Sequence, residues 1–163
     1  MIRAAALLLA TLALAACGLQ PMYAGGGSGA VAQGLAAIDV PAIPGRAGWL
    51  VRNELNDRLG VGGAAAARYR LDVRLDDQLE ALGVLADDTV SRERRTLRAR
   101  YQLVDLASGE IVLDASAASD AGIDVVSSEY ATIAAEQRAL ENLSKDLADR
   151  IVTRVALRLR DGE

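Results

Sequence analysis

A chain of 163 residues with net charge −4, one cysteine and no histidine excludes much chemistry before any motif is read. Zinc and iron sites of the usual ligand sets, Ser-His-Asp triads and Cys-His dyads all need residues it lacks, and a single thiol closes no disulfide within the chain. The excess of 22 acidic over 18 basic residues argues against nucleic acid as a partner. Adjacent acids such as Asp76-Asp77 and Asp87-Asp88 point to opposite faces of a strand or sit solvated in a turn, so no catalytic pair, metal or cofactor is expected. Phe is absent and aromatics make up 3%. Ala, Leu, Val and Ile must therefore fill the core of a single domain, with Trp49, Tyr69, Tyr101 and Tyr130 as its expected large anchors.

The N-terminus carries the sharpest signal. Arg3 precedes the apolar run Ala4 to Ala13 and then Leu14-Ala15-Ala16-Cys17, the order of a lipoprotein signal cleaved before an acylated cysteine. A buried N-terminal helix with an ordinary core cysteine does not explain that order. The reading divides the chain into a signal peptide at 1–16, an acylated Cys17 with a flexible tether at 17–34, and one domain at 35–163. Several acyl chains on Cys17 would hold the protein on its membrane, since stable anchoring takes more than one lipid signal. In lipoproteins Asp after the cysteine favours inner-membrane retention; here the residue is Gly18, which favours the outer membrane, on its periplasmic side. No later segment reaches eighteen apolar residues, so no helix is expected to cross a bilayer.

Gln20 to Gly34, with Gly25-Gly26-Gly27-Ser28-Gly29 at its centre, reads as a tether of about 15 residues spanning roughly 20 Å. Leu35 to Ile43 reads as a first strand, edge or irregular because of Pro41. Gly48 to Leu59 follows as a helix, with Val51, Leu55 and Leu59 on one stripe. Arg68 to Leu79 alternates, Tyr69, Leu71, Val73 and Leu75 against Arg68, Arg70, Asp72, Arg74 and Asp76. After a loop through Gly83 and Asp87-Asp88, Val90 to Asp105 splits the same way, with Leu97, Ala99, Tyr101 and Leu103 against Arg94, Thr96, Arg98, Arg100 and Gln102. Ala107-Ser108-Gly109 turns into a fourth strand, Glu110 to Ser119. Ser127 or Ser128 caps a final helix whose Ile133, Leu140, Leu143, Leu147, Ile151 and Val155 share one face, with Glu141–Lys145 and Asp146–Arg150 spaced to pair on its flanks. The expected fold is α+β: two helices on one face of a mostly antiparallel four-stranded sheet, in the order β-α-β-β-β-α.

The segments Cys17-Gly18-Leu19-Gln20-Pro21-Met22-Tyr23, Arg52-Asn53-Glu54-Leu55, Tyr101-Gln102-Leu103, Ser108-Gly109-Glu110 and the run from Tyr130-Ala131 through Ala134, Arg138, Leu140, Leu147, Ile151 and Arg154 resemble, in order and spacing, the LptE family of lipopolysaccharide-assembly lipoproteins in its alphaproteobacterial form. Two features depart from that family: Leu19 stands where Phe is common, and aromatics are sparse. The resemblance implies a non-catalytic plug and assembly partner of the LptD β-barrel, helping lipopolysaccharide reach the outer leaflet. A different class of function, an outer-membrane lipoprotein regulating a periplasmic cell-wall enzyme, would use the same anchor and a similar domain; the short tether, keeping the domain against its own membrane, favours the first.

Apart from any family, the solvent parity of two strands gathers Arg70, Arg74, Arg94, Arg98 and Arg100, with Arg68, in an acidic chain. Guanidinium forks suit phosphate, so this face is the candidate contact for lipopolysaccharide or for the barrel. The competing reading is a solvated face on which Asp72, Asp76, Glu110 and Asp114 neutralise the arginines. At the C-terminus, Arg150, Arg154, Arg158 and Arg160 read as complements of the helix dipole.

Overall fold

The structure, a computed structural model, describes residues 29–60, 66–84 and 90–162. In chain order these form α1 (Ala30–Ala36), β1 (Ile38–Asp39), α2 (Gly45–Leu59), β2 (Tyr69–Val84), β3 (Val90–Asp105), β4 (Ile111–Asp124) and α3 (Glu129–Asp161). The four strands make one sheet in sequence order. Strands β2, β3 and β4 run antiparallel, while β1 pairs parallel to β2 at Ile38–Tyr69 and Asp39–Arg70. The fold is therefore α+β as expected, with a mixed sheet and a third helix. Lipid attachment at Cys17 and the signal peptide lie outside the described residues.

Two expectations at the N-terminal side are corrected. Residues Ala30–Ala36, read partly as tether and partly as strand, form the short helix α1. The strand predicted over Leu35–Ile43 is reduced to Ile38–Asp39. Leu35 turns inward on α1, and Val40 and Ile43 leave the sheet to pack in the core. Proline at 41 and 44 supplies no backbone N–H for a ladder, and the chain instead climbs from the sheet to the helix layer. Arg52 on α2 fastens this climb by donating from Nε to the Val40 carbonyl at 2.9 Å. Gly48 fits beneath it because a Cβ there would lie 2.4 Å from the Ile43 carbonyl oxygen, a distance no side chain tolerates.

Helix α2 presents Val51, Leu55 and Leu59 to the core, as their four-residue spacing requires. Gly60, at φ 70°, ends it in the left-handed conformation. Helix α3 packs along β4 and β3, and α2 lies beside it; Arg58 of α2 bonds Asp149 of α3 across that seam. Leu140, Leu143, Leu147, Ile151 and Val155 are all buried on one stripe of α3 against Leu71, Leu97, Ala99, Tyr101 and Leu103 of the sheet. The Ser144 hydroxyl, buried among them, donates to the Leu140 carbonyl at 2.8 Å, which offsets its desolvation.

Of the four expected anchors, Tyr101 and Tyr69 are buried, but Trp49 is 63% and Tyr130 88% exposed. Trp49 falls off the Val51–Leu55–Leu59 stripe, and Tyr130 lies in the first turn of α3, past the reach of α2. Neither Glu141–Lys145 nor Asp146–Arg150 forms an ion pair among the described residues, since long exposed side chains gain little by pairing.

Candidate anion-binding face

The described helices lie on one side of the sheet, so among the described residues the other side is bare. The even-numbered side chains of β2, β3 and β4 form it, as pleating dictates. In register, Arg74 stands directly opposite Arg100, which stands opposite Ser116. The next row is Asp76, Arg98 and Ala118, and a further one Glu80, Arg94 and Gly122. Arg74, Arg98 and Arg100 thus come together around a shallow cleft floored by Ser116 and Ala118. The small side chains of β4 leave that floor low, which sequence parity did not single out.

The five predicted arginines do not form one cluster. Arg70 and Arg94 each sit four residues along a strand from Arg74 and Arg98, roughly 13 Å at 3.3 Å per residue. They differ in engagement too. Arg70 grips Asp72 through two hydrogen bonds of 2.9 Å. Arg100 donates to Asp114 at 3.1 and 3.3 Å, and Gln102 donates to the same carboxylate at 2.8 Å. These donors hold the Asp114 carboxyl below the usual carboxylate range. Asp76 accepts from Gln78, not from an arginine, and Glu110 makes no ion pair among the described residues. Arg74, Arg94 and Arg98 have no ion-pair or hydrogen-bond partner among the described residues. Arg70 and Arg100 are thus each paired with an acid, whereas Arg98 and Arg94 stand opposite Asp76 and Glu80 in register without bonding them.

Two arginines in direct opposition destabilise an antiparallel pair. Arg74 and Arg100 keep that arrangement beside unpaired Arg98, and what such a trio can do chemically is hold an anion by charge and by forked N–H donors. No group of histidine, cysteine or acidic side chains suited to a metal occurs among the described residues. No helix among them is long and apolar enough to cross a membrane.

Arg95 belongs to the opposite face. Its odd parity turns it toward α3, where it bonds Asp77 at 2.7 and 2.8 Å and the Glu136 carbonyl at 3.2 Å. Hydropathy hid this pair, though Asp77 and Arg95 share the parity of Leu71 and Tyr101.

A family model for LptE, lipopolysaccharide assembly, matches residues 35–155. A lipoprotein of Caulobacter crescentus CB15 has a similar structure, with 29% identity and a TM-score of 0.68 over 80% of this chain and 96% of that one. The rare lipoprotein B of Shewanella oneidensis (14% identity, TM-score 0.56, 73% and 91% covered) and a minor lipoprotein of Acinetobacter baumannii (16%, 0.57, 74% and 88%) share the fold. No curated protein matches the chain in sequence.

Proposed function

The chain belongs to the LptE lipopolysaccharide-assembly family, and from that premise we propose that it is an outer-membrane lipoprotein, acylated at Cys17, that acts without catalysis as plug and assembly partner of an LptD-like β-barrel. Its place is the periplasmic side of the outer membrane, and its task is delivery of lipopolysaccharide to the outer leaflet. The observation that carries the reading is the family match across almost the whole described domain. The bare sheet face supports it with a contact: Arg74, Arg98 and Arg100, flanked by Arg70 and Arg94, face phosphate groups of lipopolysaccharide or acidic residues of the barrel lumen. No cofactor enters this role.

Affinity purification of the tagged chain from outer membranes tests the partnership. Co-isolation of a large β-barrel is the expected result; recovery of a peptidoglycan synthase in its place overturns it. Cys17→Ser abolishes incorporation of radiolabelled palmitate if the anchor is assigned correctly. Reversing Arg94, Arg98 and Arg100 to Glu leaves the fold intact, since exposed charges add little stability, and weakens binding to lipopolysaccharide or barrel. Wild-type binding through these side chains falls as salt rises, because screening acts over about 10 Å at 0.1 M. Unchanged, salt-insensitive binding of the triple variant to both partners removes the arginines from the reading.

A further inference from the structure

A second cluster of cations lies away from the bare face, in a cavity of about 410 Å³ between α1, the start of β2 and the last turns of α3. Arg68 lies over the Tyr69 ring, 5.0 Å from its centroid, a contact that positions the charge without using its N–H donors. Arg158 reaches across from α3 and donates from Nε to the Val112 carbonyl of β4 at 2.7 Å. Both of its Nη groups are left without an acceptor among the described residues. The acid of the cavity, Asp105, is committed to the hairpin that follows it. Its Oδ1 accepts from the N–H groups of Ala107 at 2.8 Å and Ser108 at 3.2 Å, and its Oδ2 lies 3.8 Å from Arg68 Nε, too far for a hydrogen bond. Two guanidiniums against one carboxylate leave one positive charge. A phosphodiester monoanion balances it and accepts from forked donors on two sides, while Val112 and Leu159 supply apolar wall suited to glycerol carbons.

We propose that this end of the sheet rests on the bilayer that holds the lipid anchor, with the phosphodiester of a phospholipid headgroup in the cavity between Arg68 and Arg158 and with Leu106 and Ile111 at headgroup depth. The inference rests on acylation at Cys17. Ala30 lines the cavity, and Gly29 before it stands only twelve positions past Cys17, a stretch that reaches at most about 43 Å. Strand β3 is roughly 50 Å long from Val90 to Asp105 at 3.3 Å per residue, so the sheet cannot stand upright on its far end while the anchor is seated. Leu106 and Ile111 flank the turn Ala107-Ser108-Gly109 at the near end and are 46% and 50% exposed. The Leu106 N–H bonds the Arg68 carbonyl at 2.9 Å, which fixes this tip beside the cavity. Glu110 in the same tip keeps it out of the hydrocarbon, where a charge is costly.

The test uses the full acylated chain in vesicles of phosphatidylethanolamine and phosphatidylglycerol that contain a headgroup spin-labelled lipid. With the native cysteine acylated, Ala107→Cys carries a fluorophore at the tip, and Ser127→Cys carries one just past the far end of β4, roughly 40 Å away along the strand. Strong quenching at position 107 and little at 127 is expected. Arg68→Glu combined with Arg158→Glu reduces quenching at 107 to the level of 127, and so does Leu106→Ser combined with Ile111→Ser, which removes only exposed side chains. Circular dichroism of both variants keeps loss of contact distinct from loss of fold. Flotation with the vesicles reports the anchor separately: a chain that fails to float removes the anchor and this contact together. A chain that floats with equal quenching at the two sites overturns the contact alone, as does quenching indifferent to both sets of substitutions. Excess inorganic phosphate is expected to leave the quenching in place; its loss would assign the cavity to free phosphate and overturn the membrane contact. The vesicles contain no lipopolysaccharide, so the outcome does not depend on the proposed role in its assembly.

Discussion

Strands β2 and β3 behave differently along their own length. In the half nearer Tyr69, Leu71, Leu97, Tyr101 and Leu103 are buried beneath α2 and α3. In the half nearer Val84 the same parity continues through Leu79, yet Leu79 is 46% exposed, and Ile133, on the central stripe of α3, is 43% exposed. Alternation creates the capacity to bury a face; a covering element decides whether it is used. Helix α2 begins at Gly45, after the short climb from β1, and covers only the first half. The second half is held by α3 alone, with the Arg95–Asp77 pair bonded to the Glu136 carbonyl as its clasp.

The largest test of this contrast is Tyr101→Ala, expected to cost about 3 to 5 kcal/mol because small neighbours cannot fill the space under two helices. A denaturant midpoint unchanged from wild type would show that the covered half is not the core. Arg95→Ala leaves Asp77 without its countercharge and frees the start of α3 from the sheet. About 1 to 2 kcal/mol is expected, with faster amide exchange confined to the first turns of α3. Equal acceleration throughout the helix would erase the distinction between the halves.

Leu79→Ser sits at a position of the same parity as Leu71 and should change the stability of the single chain by no more than about 0.5 kcal/mol. The corresponding Leu71→Ser serves as its buried control, and similar losses for both would break the comparison. The smallest effect belongs to the bare face. Asp114 has its carboxyl lowered by Arg100 and Gln102, so the pair's contribution is full above the unfolded value of about 4. It is lost as pH falls through the folded value. Carboxyl carbon NMR should show Asp114 titrating below its usual range, and Arg100→Ala should move the midpoint up.

Much of this was present in local pattern. Period-two alternation placed β2 and β3, and four-residue spacing placed α2 and α3, because those periods follow from backbone geometry and need no knowledge of neighbours. Parity put Arg70, Arg74, Arg94, Arg98 and Arg100 on one face for the same reason. The sequence also set the chemistry that is absent, since no arrangement supplies a histidine. Tertiary structure alone decided the rest. Helix α1 and the shortened β1 depend on Leu35, Val40 and Ile43 finding a core built by distant residues. Trp49 and Tyr130 are apolar enough to be buried, but no element among the described residues passes over them. Register, which depends on how the whole ladder pairs, brought Arg74 opposite Arg100 and gave Arg100 to Asp114 while leaving Arg98 without an ion pair among the described residues. Charge and alternation are properties of single positions, whereas coverage and partnership are properties of pairs, and only the folded sheet determines which pairs meet.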